Sequence, residues 1–250
     1  MIGLRILGFG LAAVLALGLS VGQAGARSRP VVVELFTSQS CYSCPTAEAF
    51  LGKLAREPDI VALEFHVDYW NDINYGSAGQ WTDPFSRPAF TRRQRDYNQQ
   101  IRDQSGVYTP QMVIDGRFEK SGNSEWAVEA AISSARREDE PGVFVAVRRA
   151  DANGLSIAVD GAVKSAAAIW LVRFKRAVTT RVLRGENHGK TLDNHKFVTG
   201  STRIGDWRGR VATLEVPNGR PGSGEDCVVL VQSDKPGAML GAAKCPKGEV

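Results

Sequence analysis

PVVVELFTSQSCYSCPTAEAFLGKLAREPDIVALEFHV, residues 30–67, changes its hydrophobic period twice, and those changes decide the fold. Pro30 to Phe36 is a short, mostly apolar, β-branched run, as expected of a buried strand. From Pro45 the period becomes helical: Ala47, Phe50, Leu51 and Leu54 fall at i, i+3, i+4 and i+7, and Pro45 suits a first turn. Pro58 and Asp59 stop that helix. Ile60 to Val67 then alternates, with Val61, Leu63, Phe65 and Val67 on one face. A strand, helix, strand order predicts a parallel pair with a right-handed crossover, which places chemistry at the carboxyl ends of the strands. Cys41 and Cys44 stand at that end.

A thiolate, not a thiol, attacks a disulfide, so a reactive cysteine needs something that lowers its pKa. Cys41 lies just before the first turn of the helix, where free N–H groups and the macrodipole favour negative charge. It is the expected attacking thiol, and Cys44 the resolving one. C-x-x-C also serves as half a metal site, so two other readings stay open: a soft Cu(I) site of Cys41, Cys44 and His66, or a non-catalytic binding protein in which Cys41 and Cys44 form a static structural bridge. Glu34, on the first strand, is a candidate proton acceptor for the resolving thiol or else a carboxylate at a sheet edge. His66, sharing a face with Glu64 and Asp68, is a candidate for proton transfer or is simply hydrogen-bonded at a strand end.

Outward from this core, residues 68–85 (DYWNDINYGSAGQWTDPF) form an aromatic-rich loop. Ser86 and Pro88 open a helix with Phe90, Gln94, Tyr97 and Ile101 on one side, and its arginines 92, 95 and 102 read as a solvated face. Gln111 to Ile114, the turn Asp115-Gly116 and Arg117 to Lys120 make a hairpin, and a helix from about Ser124 to Arg137 follows. Glu138 to Gly142 (EDEPG) marks a domain boundary. Beyond it come eight short strand candidates, with Ala167–Phe174 and Ala177–Leu183 separate, spaced by Asn153-Gly154, Asn218-Gly219 and Pro236-Gly237. They suggest a β-sandwich. The stretch RGENHGKTLDNH (residues 184–195), with His188, Asp193 and His195, reads as a solvated hairpin, because its spacing matches no helical metal-ligand pair.

Residues 1–26 have a basic start, an apolar run from Ile6 to Val21 and small residues at Ala24 to Ala26, the pattern of a cleaved export signal. Four cysteines in an exported chain are compatible with disulfides. Cys227 and Cys245 are read as a structural bridge. The formal charge of +4, spread along the chain, argues against a dedicated nucleic-acid binder. No metal site beyond the alternative above and no cofactor is expected.

Four stretches, in order, resemble the signatures of the DUF1223 family of exported thioredoxin-like proteins: ELFTSQSCYSCP (34–45), FHVDYW (65–70), DPFSRPAFTRRQ (83–94) and VYTPQMVIDG (107–116). RGENHGKTL (184–192) carries a weaker similarity. The resemblance implies an α/β thioredoxin-like domain, a mixed sheet flanked by helices, over residues 27–138. An all-β sandwich-like domain over 143–250 would follow it. It also implies a cis Thr109–Pro110 peptide facing the cysteine pair, with Thr109 and Pro110 as substrate-positioning residues. The chain departs from thioredoxin in lacking a proline between the cysteines and in a loop from Glu34 to Cys41 one residue longer. The expected partners are exported protein thiols or disulfides in the periplasm or outside the cell, with no nucleic acid, and no membrane after signal cleavage.

Overall fold

A computed structural model describes residues 29–137, 143–234 and 237–247. The expected signal segment 1–26 and the expected boundary at 138–142 lie outside the described residues.

The first strand, β1 (Val31–Thr37), leads through a tight loop into α1 (Cys44–Leu54) and returns as β2 (Ile60–His66), parallel to β1 throughout. The aromatic loop then leads into α2 (Pro88–Arg102), the hairpin β3 (Gln111–Ile114) and β4 (Phe118–Ser121), and α3 (Glu125–Arg137). The chain continues through β5 (Phe144–Arg149), β6 (Leu155–Asp160), β7 (Ala167–Arg181), β8 (Thr191–Trp207), β9 (Ala212–Val216), β10 (Glu225–Ser233) and β11 (Met239–Lys244). Among the described residues no helix is long and apolar enough to cross a membrane.

The strands make a mixed eight-stranded sheet, β11-β10-β7-β8-β2-β1-β3-β4, and a three-stranded antiparallel sheet, β5-β6-β9. The large sheet does not stop where composition placed a boundary. Strand β8 joins β2 in parallel at Glu64 and Phe197. The physical reason lies in β2, which is buried at all of its positions and needs cover on its outer edge as well as on both faces. The run expected as two strands, Ala167–Phe174 and Ala177–Leu183, is the single strand β7, paired with β8 to Arg181 across irregularities at 169/170 and 173/174. Its exposed middle, Lys175 to Ala177, imitates a break in the apolar pattern although pairing with β8 continues through it.

Alternation along β1 sorts the core into two layers. Val31, Val33 and Leu35 face α1 and α3, where Phe50, Leu51, Val128 and Ile132 meet them. Val32 and Phe36 face the opposite way, toward Phe90 and Tyr97 of α2. A third cluster, with Leu155, Ile157, Ile169, Leu171, Val229 and Trp207, packs the small sheet against β7 and β10. Cys227, on β10, is bonded to Cys245 just after β11.

Candidate redox site

Cys41 and Cys44 form a disulfide at the start of α1, with Cys44 its first residue and Pro45 in its first turn. Both are buried, at 1 % and 0 % exposure, whereas Tyr42 between them is 64 % exposed. Ser43 Oγ lies 3.6 Å from Cys41 Sγ. The preceding loop is tied down on every side. Gln39 N–H donates to Asp83 Oδ2 at 2.8 Å, its side-chain amide donates to Asn194 Oδ1 at 3.1 Å, and Ser40 Oγ donates to the Trp81 carbonyl at 3.0 Å.

Behind the cysteines lies a set of ionisable groups that share one face of the sheet. On α1, Glu48 is four residues after Cys44, hence on the same stripe of the helix. Gly52, four further on, faces the His195 ring, and a Cβ there would stand 2.6 Å from it. Glu48 is 1 % exposed and accepts a hydrogen bond from Thr37 Oγ1 at 2.6 Å. Burial first, and then the neighbouring Glu64 carboxylate, push its pKa up to about 8, against opposing pulls from His66 and Thr37.

Glu64 and His66, two residues apart on β2, point to that same face. His66 is fully buried, with Nε2 2.8 Å from Glu64 Oε1 and Nδ1 2.7 Å from Asp83 Oδ2. Burial alone would lower its pKa, but Asp83 and Glu64 raise it well above the usual histidine range, so the ring is an imidazolium donating from both nitrogens. Asp83 resists ionisation through burial, yet His66 and the Gln39 and Phe85 N–H groups hold it below the ordinary carboxylate range. Asn194 closes the figure by donating to Glu64 Oε1 at 2.6 Å. Gln39, Asp83, His66, Glu64 and Asn194 thus form a closed hydrogen-bonded ring under the cysteine loop.

Several sequence expectations change on this geometry. Glu34 stands on the α2 face of β1, the face opposite α1, and β1 is an interior strand rather than an edge. It pairs with Arg93, Nε to Oε1 at 2.9 Å, and accepts from Tyr97 as well, so it is neither the acid behind the cysteines nor an edge carboxylate. Glu48 takes that place, and its i+4 spacing from Cys44 was the signal available in the sequence. His66 has no free ring nitrogen to offer a soft metal ion beside the thiols. The stretch 184–195 is a hairpin tip and arm, exposed at His188 and Asp193 as expected but not along its whole length. Its Asn187 and Asn194 are fully buried, because amides there satisfy backbone and carboxylate groups of the cysteine loop and β2. Asn187 Nδ2 donates at 2.9 Å to the carbonyls of both Gln39 and Cys41. Glu186 Oε2 accepts from Tyr42 N–H at 2.7 Å, and Lys190 Nζ sits 4.0 Å from the centre of the Tyr42 ring.

The Thr109–Pro110 peptide is cis. Trp70 Nε1 donates to Thr109 Oγ1 at 2.9 Å, which fixes that side chain from the aromatic loop. Gly122 shows how close Pro110 comes to α1, since its N–H bonds the Pro110 carbonyl and a Cβ on it would stand 2.8 Å from Ala47 Cβ and 3.1 Å from Pro110 Cβ. Neither neighbour is the far end of a flexible side chain. Gly122→Ala is therefore expected to destabilise the protein by about 2 kcal/mol, read as a lower denaturant midpoint at unchanged slope.

A crystal structure of a protein from Agrobacterium tumefaciens aligns with a TM-score of 0.74 at 30% identity, over 88% of this chain and 95% of that one. An endonuclease/exonuclease/phosphatase from Beutenbergia cavernae aligns with a TM-score of only 0.22 at 13% identity, over 43% of this chain and 24% of its own, too little to bear on the fold. No curated protein matches the chain significantly. The family model described as "Protein of unknown function (DUF1223)" matches residues 32–232, a span holding the disulfide, the buried acids and the hairpin that covers them, and the chain belongs to that DUF1223 family.

Proposed function

We propose that the protein is an exported, thioredoxin-like thiol-disulfide oxidoreductase acting on protein substrates. The observation that carries this reading is a Cys41/Cys44 pair at a helix N-terminus with a buried carboxyl group, Glu48, of pKa about 8 one turn behind it. The strand order β2-β1-β3-β4, the parallel β1–β2 pair and a cis-proline entering β3 support the thioredoxin-like assignment. The composition of residues 1–26 supports export.

In the reducing direction, Cys41 thiolate attacks one sulfur of a substrate disulfide, forming a mixed disulfide and expelling the other substrate sulfur as a thiolate. Cys44 then attacks Cys41 Sγ, breaks the mixed bond and releases the second substrate sulfur. Two electrons pass from the dithiol to the substrate, and the released thiolates take up protons. Glu48, ionised in part near neutral pH, accepts the Cys44 proton as its sulfur becomes a nucleophile. The oxidising direction runs the same steps backward. Thr109 and Pro110, beside α1, position the substrate chain.

Trapping tests the reading. Cys44→Ser leaves the mixed disulfide unresolved, so Cys41-linked adducts should accumulate in the exported compartment and vanish with reductant. A chain with no adduct, whose disulfide is also far more reducing than about −270 mV, is a static bridge instead.

A further inference from the structure

A cleft of about 450 Å³ lies between α2 and strands β7 and β8 and shares no residue with the dithiol site. Its volume falls in the range of small-molecule sites.

Arg93 forms its inner wall. The residue is only 9 % exposed, and Nε and Nη2 are turned inward onto Glu34, Tyr97 and Gln232. Its Nη1 has no hydrogen-bond partner among the described residues. Two more guanidinium groups, Arg87 and Arg92, stand exposed on the rim, and neither side chain is hydrogen-bonded or ion-paired among the described residues. Asp96 is the one carboxylate on the lining. The facing strand contributes the hydroxyls of Ser201 and Thr202, and Trp170, half-buried, lies beside the Arg93 guanidinium with its ring centre 5.9 Å away.

The charges decide what fits. Glu34 already neutralises Arg93, so Arg87 and Arg92 against Asp96 leave an excess of one positive charge. A solvated helix face accounts for Arg87 and Arg92, but not for a nearly buried arginine keeping an unused donor toward a cleft. We infer that this cleft binds a small molecule with one oxyanion, carboxylate or phosphate, on a planar apolar body. The oxyanion rests on Arg87, Arg92 and Arg93 Nη1, and the body lies against Trp170 and Phe90.

Calorimetric titration of the full-length protein with phenyl phosphate and with benzoate tests this, with inorganic phosphate and phenol as head and body alone. Saturable one-to-one binding is expected for at least one of the two oxyanions, with each fragment alone at least about tenfold weaker. Binding of phenyl phosphate only assigns phosphate, and of benzoate only, carboxylate. Arg87→Gln combined with Arg92→Gln, at exposed positions and checked for folding by circular dichroism, should weaken binding at least about tenfold. Trp170→Phe should keep affinity, and Trp170→Leu should reduce it toward that of the bare head group. The inference falls if neither oxyanion saturates by about 10 mM, where a Kd near 1 mM would be visible. It falls equally if binding survives the double arginine substitution unchanged.

Discussion

Glu48→Gln is expected to stabilise the protein by about 4 kcal/mol at pH 8 while slowing release of the mixed disulfide. The stability change follows from linkage. The carboxyl group titrates near 4.5 when unfolded and near 8 when buried, so the folded state holds a proton that the unfolded chain has lost throughout that window. Stability conferred by the protonated group is complete below pH 4.5 and declines as pH rises to about 8, at about 1.4 kcal/mol per unit. Glutamine has the shape of the protonated acid and cannot titrate, so the variant escapes the decline. His66 adds a loss of the same sign at higher pH, because its folded pKa is raised and its stabilisation fades as pH climbs from about 6.5 through that raised value. Asp83, held low, matters only as pH falls below about 4. Glu48 interacts with both His66 and Asp83, so the difference between the two urea denaturation profiles reports Glu48 together with that coupling. A difference that grows from pH 5 to 8 is expected, and parallel profiles would sink the assignment of Glu48 as the buried acid. The kinetic half uses the same variant: without a group to take the Cys44 proton, the Cys41 adduct should live longer at pH 7 than in the unaltered protein. Stability gained where activity is lost is the usual signature of a functional buried charge.

Periodicity made the βαβ unit legible, because both signals it needs are local. A run of β-branched residues and an i, i+3, i+4, i+7 stripe can be read without knowing what packs on them, and β1, α1, β2, α2 and the β3–β4 hairpin emerge with nearly their observed limits. Pairing between distant strands has no such local mark. Nothing in IVALEFH announces that its outer edge will receive Phe197, and the joining of β8 to β2 rests on a single parallel bridge. The site divides in the same way. Cys41 and Cys44 declare themselves by spacing. The acid behind them turned on alternation, for Glu34 is close in sequence but on the other side of the sheet, whereas Glu48 is one helical turn away on the correct side. Polar composition misled most at residues 184–195. Asn, Asp, Glu and Lys are surface residues by frequency, yet Asn187 is buried because its amide replaces the water that two loop carbonyls would otherwise bind.

That replacement makes the hairpin tip a determinant of access to the dithiol, and Asn187→Ala is expected to accelerate alkylation of Cys41 by about tenfold to a hundredfold. The measurement uses the Cys44→Ser background, with Cys227 and Cys245 bridged, so that Cys41 is the one free thiol. At 1 % exposure Cys41 cannot meet iodoacetamide without local opening, and the observed rate scales with the population of the open form. Removing the Asn187 amide leaves the Gln39 carbonyl unsatisfied and the Cys41 carbonyl with only the Cys44 N–H in the closed form but not in the open one, where water reaches them. An unsatisfied buried carbonyl costs about 1–3 kcal/mol, and partial relaxation leaves a net bias of about 1.4–2.8 kcal/mol toward opening, the stated range of rates. Asn187→Asp separates donor from packing, since it keeps an acceptor for Lys190 but puts a carboxylate against the two carbonyls, and it should open the site at least as far. Glu186→Gln asks about charge, because the carboxylate on Tyr42 N–H occupies the helix end that would otherwise favour the Cys41 thiolate. It should lower the pKa of alkylation without exposing the sulfur. Leu183→Ala, at a residue already 59 % exposed, should change neither rate nor pKa. If Asn187→Ala alkylates at the unaltered rate while remaining folded, the tip does not govern entry, and a substrate disulfide must reach Cys41 by another route.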